Sequence, residues 1–111
     1  MLKFKDLDEL QSKLREWLLY NFKDTTTECQ FMGVVEEIGE LAHAELKHKQ
    51  GIRGWEDIEK TTSAIKDAVG DITIFLINYC NTKNINFSEC LCTAIEEISK
   101  RDWVKNPETG V

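Results

Sequence analysis

Residues 65–80, IKDAVGDITIFLINYC, decide the fold. Ile65, Val69, Ile72, Phe75, Leu76 and Tyr79 recur at three- and four-residue steps, so they form one wide apolar face of a helix. The pattern predicts a helix over about 62–82, the most hydrophobic of the chain and therefore its central one. Asp67 and Asp71 interrupt that face four residues apart. A half-buried helix has no structural need for an aspartate between Val69 and Ile72. Asn78 lies seven residues beyond Asp71, close to the same face.

Upstream, a second periodic stretch predicts a helix over about 27–49, with Phe31, Val34, Val35, Ile38, Leu41, Ala42 and Leu46 as its apolar positions. Thr25 or Thr26 offers its N-cap, and Gly51 its end. Gly33 and Gly39 lie inside it, where each costs about 1 kcal/mol against alanine unless it permits a close approach or leaves room beside a bound group. A first helix is expected over about 6–22, capped by Asp6, with Leu7, Leu10, Leu14, Trp17 and Leu18 inward. A last one is expected over about 87–103, with Phe87, Leu91, Ala94, Ile95 and Ile98 inward. QGIRGWEDIEKT (residues 50–61) reads as an ordered loop anchored by Trp55 and Ile58. The fold class is all-α, a single domain over 1–111 resembling a four-helix bundle. A helical subunit this small is expected to complete its core against further copies, as a homo-dimer or homo-tetramer.

The net charge of −6 excludes wrapping of duplex nucleic acid, which needs a basic face. The longest apolar run, residues 72–77, is too short for a membrane span. The N-terminus lacks a signal-type apolar stretch, so a cytoplasmic location is expected. Cys29, Cys80, Cys90 and Cys92 contain no C-x-x-C pair and read as core or half-buried thiols rather than zinc ligands.

The chemistry concentrates in acids. Glu36, Glu37 and Glu40 group on the second helix at three- and four-residue spacing, and Asp67 and Asp71 on the third. Packing the two helices together would crowd five carboxylates, which repel one another and lose solvation unless a cation joins them. Mg²⁺ suits such a site because it takes oxygen ligands and combines few carboxylates with water and substrate phosphate. Mn²⁺ is a possible substitute.

VVEEIGELAHAELK (residues 34–47) and IKDAVGDITIFLINYC closely resemble the MazG-like nucleoside triphosphate pyrophosphohydrolases of the all-α NTP pyrophosphatase superfamily. The likeness extends through GIRGW and EEISKRDW, over roughly residues 28–103. It is similar in particular to a small phage- or plasmid-type variant. The resemblance implies hydrolysis of an NTP or dNTP to the monophosphate and pyrophosphate. It implies Glu37, Glu40 and Asp71 as core Mg²⁺ ligands, and Glu36 as a further ligand or the residue that orients and deprotonates water. The family places glutamate three residues before the final aspartate; here that residue is Ala68, and the neighbouring acid Asp67 is expected to stand in for it as a metal ligand. Phosphate contacts are expected from Arg53, Lys47, Lys100 and Arg101, and a sugar or base contact from Asn78. The competing reading is a non-catalytic interaction or nucleotide- and metal-sensing module of the same fold, for which Ala68 is the best support.

Overall fold

The computed structural model describes residues 2–111. Four helices follow one another: α1 (Leu7–Asn21), α2 (Thr27–Gln50), α3 (Ile58–Lys83) and α4 (Phe87–Ser99), with no strand among the described residues. Local chemistry sets their ends. The side chains of Asp6 and Thr26 accept from the backbone N–H of Glu9 and Cys29, and so cap α1 and α2. Gly51 closes α2 and Asn84 closes α3, each in the left-handed conformation that glycine and asparagine tolerate best. Asn86 then caps α4, so a three-residue turn links two helices.

Two boundaries differ from the sequence reading. Helix α3 starts at Ile58 rather than 62, because Asp57 accepts from the N–H groups of Glu59 and Lys60 and nucleates a turn early. Helix α4 ends at Ser99 rather than 103. Residues 102–110 fold back instead: Asp102 N–H donates to Gly110, which is buried beneath Trp103.

Helices α2 and α3 form the main packed pair, and α1 crosses α3. Their antiparallel register shows in two contacts at opposite ends. Gly33 lies against the ring of Phe75, and His48 lies beside Thr61. A buried polar bracket holds α1 to the α3–α4 turn. Gln11 donates to the Ile85 carbonyl (2.8 Å) and accepts from the Phe87 N–H (2.9 Å), while Asn81 donates to the Gln11 carbonyl (3.1 Å). Around this bracket Leu14, Ile77, Cys80 and Phe87 form the core.

That core is small. Leu91, Ile95 and Ile98, expected inward, are 39%, 57% and 59% exposed. Phe31, Val35, Ile38, Leu46 and Val69 are likewise more than half exposed. Ile58 does not anchor the loop before α3, whereas Trp55 does. Cys29, Cys90 and Cys92 are exposed, and of the four thiols only Cys80 is buried. The physical reason is common to the apolar cases: periodicity marks a face but not what covers it. Helix α4 touches the body mainly through α1, so most of its apolar face has no cover within the protomer.

The two helical glycines separate cleanly. A Cβ at Gly33 would overlap the Phe75 ring, while one at Gly39 would meet open space. Gly39→Ala should therefore raise stability by up to about 1 kcal/mol. Gly33→Ala should lower it by about 1–3 kcal/mol despite the same propensity gain. Urea denaturation of the two variants measures both signs.

Candidate functional site

The contact of Gly33 with Phe75 aligns everything beside it. One turn on along α2 is Glu37, and one turn back along the antiparallel α3 is Asp71. Glu37 is half-buried, and its carboxyl is pushed above the ordinary glutamate range by that burial and then by the charges of Asp71, Glu40 and Glu36. The four acids therefore share one field. Glu36, Glu40 and Asp71 are exposed. No cation pairs with any of them: among the described residues the ion pairs are Lys13–Glu9 and Lys100–Glu97.

Asp67 is exposed and is not among the charges that act on Glu37. Its neighbour Ala68 is buried, and lies about one turn before Asp71. Adjacent positions on a helix point about 100° apart, so an acid at 67 and one at 68 serve different faces. No three His, Cys, Asp or Glu side chains among the described residues converge into a ready-made coordination set.

Among the described residues, none of the basic candidates pairs with these acids. Lys47 donates to Gln50 Oε1 at the end of α2, and Lys100 pairs with Glu97 on α4. Arg101 follows α4 and is exposed. Arg53 is exposed in a loop that carries it at φ 57°, between Gly51 and Gly54 at φ 67° and 83°. Trp55 fixes this loop, its carbonyl accepting from Thr61 Oγ1 and lying 2.8 Å from His48 Nδ1, with Lys60 Nζ 4.4 Å from the centre of its ring.

On the other side of Asp71 a cleft of about 1020 Å³ opens between α1, the start of α2, and α3. Its walls are mostly apolar, with Trp17 and Phe22 from the α1 side and Phe75 from α3. Two buried amides reach it, Asn78 from α3 and Gln30 from α2. Asn78 was expected on the face of Asp71, and both line this cleft. Gln30 and the lining cation Lys23 were not singled out from sequence. The signal for Gln30 was a polar residue one turn before Val34 on the apolar face of α2.

The field around Glu37 has a measurable consequence without metal. A carboxyl with a raised folded-state pKa costs stability once the pH passes its ordinary range, and the cost is complete above its raised value. Glu37→Gln should melt at a higher temperature than the parent at pH 7.5, and the gap should close near pH 4, about the ordinary glutamate value. Thermal melts in chelator across that range check it. Compared with family models, with curated proteins and with solved structures, the chain finds no match.

Proposed function

We propose that this protein is a Mg²⁺-dependent nucleoside triphosphate pyrophosphohydrolase, similar to the MazG-like enzymes, releasing a nucleoside monophosphate and pyrophosphate. One observation carries the reading: Glu37 lies in the field of Asp71 across the α2–α3 interface, with Glu36 and Glu40 adjacent and no cation among the described residues paired with them. The donor set fits Mg²⁺, because exposed carboxylate ends can adjust around an ion that also takes water and phosphate oxygens. Glu37, Glu40 and Asp71 would hold the metal, which when bound would neutralise phosphate charge and make water more acidic.

The chain's own residues supply the rest. Glu36 orients the attacking water and takes its proton. Cleavage of the α–β anhydride consumes one water, and the departing pyrophosphate needs a positive environment. Lys47, Arg53, Lys100 and Arg101 are assigned to that role. None of these four lines the cleft of the same protomer. Assembly with other copies would allow them to reach it.

The protein is proposed to work as a homo-dimer or homo-tetramer. A folded monomer of 12.8 kDa exposes about 6,300 Å², while this protomer exposes 8355 Å². Its radius of gyration is 17.6 Å, against about 13 Å for a compact chain of this length. The excess area is what an obligate interface covers. A second reading, a non-catalytic module of the same fold, is favoured by Ala68 and by the lack of three converged donors.

Incubation with Mg²⁺ and a panel of NTPs and dNTPs separates the readings. Release of monophosphate and pyrophosphate in equal amounts is expected, and Glu40→Gln should abolish it while leaving the fold intact. No turnover of any nucleotide supports the module; release of single orthophosphates contradicts the bond assignment. Light scattering should give two or four times the 12.8 kDa chain mass, and paired Ile95→Asp, Ile98→Asp substitution should lower it.

A further inference from the structure

Two of the four thiols stand together at the corner between α3 and α4. Cys80 comes four residues before Asn84, which closes α3, and Cys90 comes four residues after Asn86, which caps α4. Each is thus about one turn from the bend, on opposite arms of one helical corner. Cys80 is 6% exposed and belongs to the same core cluster as Phe87. Cys90 lies three residues beyond Phe87, on nearly the same side of α4, and is exposed. The two thiols lie in hydrogen-bonding contact. Burial first, and then the neighbouring Cys90, push the Cys80 thiol above its ordinary range. Cys92 is also exposed, but it points about 200° round α4 from Cys90.

The backbone of this corner is tied down on both arms. The Cys80 carbonyl accepts from the Ile85 N–H (2.9 Å), and the Cys90 N–H donates to the Asn86 carbonyl (3.3 Å). Gln11 clamps the residues between them, donating to the Ile85 carbonyl and accepting from the Phe87 N–H. A fixed backbone keeps the two sulfurs near one another, which raises the rate of any reaction between them. A buried thiol is ordinarily inert because reagents do not reach it. Here the exposed Cys90 is the route to Cys80.

We propose that Cys80 and Cys90 are a redox pair that closes to an intramolecular disulfide by exchange with a small-molecule disulfide. Cys90 loses its proton and attacks one sulfur of the reagent. The reagent's S–S bond breaks, one half stays on Cys90, and the other leaves and takes up a proton. Cys80 then loses its proton, attacks Cys90 Sγ and displaces the second half as a thiol. The two protein thiols give up two electrons and two protons, and the small disulfide becomes two thiols. The product ties α4 to α3, whereas in the reduced protein α4 touches the body mainly through α1. The bond therefore acts on the helix whose Leu91, Ile95 and Ile98 are exposed. This inference is independent of the reading of the acidic site.

The experiment treats the whole protein with glutathione disulfide and maps each cysteine by peptide mass spectrometry without reductant. A Cys80–Cys90 cross-linked peptide is expected, with glutathione retained on Cys29 and Cys92, and dithiothreitol should restore all four thiols. Cys80→Ala should leave glutathione on Cys90 in place of the cross-link. Because that change opens a gap in the core, Cys90→Ser provides a second test at an exposed position. In it Cys80 should stay unmodified while Cys29 and Cys92 react to completion. Hydrogen exchange of the α4 amides should slow several-fold in the oxidised parent and recover on reduction. Glutathione persisting on Cys90 of the parent beside a free Cys80 would overturn the pairing. So would cross-links from Cys90 to Cys29 or to a second chain, or Cys80 in Cys90→Ser reacting as fast as Cys92. Unchanged exchange in α4 would overturn the action on that helix.

Discussion

The close approach of α2 to α3 at Gly33 is the constraint from which the site follows. Without a side chain at that position, the Phe75 ring sits directly against the backbone of α2. Antiparallel helices in contact at one point must pair at regular steps on either side of it. One turn in one direction brings Glu37 opposite Asp71. One turn in the other brings Gln30 opposite Asn78. A single packing contact thus sets an acidic end and a neutral, aromatic end in one line.

Electrostatics explains why the acidic end is built as it is. Glu37 carries the strain of the cluster through its partial burial and three neighbouring charges. A glutamate at position 68 would be a buried carboxylate one turn from Asp71 and would add to that cost. Glu36, Glu40 and Asp71 stay exposed around Glu37. Apolar residues of α2 and α4 likewise stay exposed, among them Phe31, Val35, Ile95 and Ile98.

Much of the fold was legible because it is local. Asp6, Thr26, Gly51 and the Asn84–Asn86 turn act on backbone groups within four residues, so their chemistry can be read from adjacency. The acids could be named for a similar reason, since each breaks an apolar period. Register could not. Gly33 was visible as a possible close approach, but nothing in its own neighbourhood names Phe75. Hence Gln30 escaped notice. Helix α4 failed differently. Its amphipathic pattern is real, yet the partner for Leu91, Ile95 and Ile98 is not within the protomer, and a single chain's periodicity does not say so.

The central claim is that Glu37, Glu40 and Asp71 together hold a divalent cation. Mn²⁺ is paramagnetic and a fitting stand-in for Mg²⁺, so titration of isotope-labelled protein, followed by amide NMR, locates the ion directly. The account predicts substoichiometric broadening centred on residues 36–40 and 68–72, reversed by excess Mg²⁺. Broadening centred elsewhere, or broadening that Mg²⁺ does not displace, would contradict it.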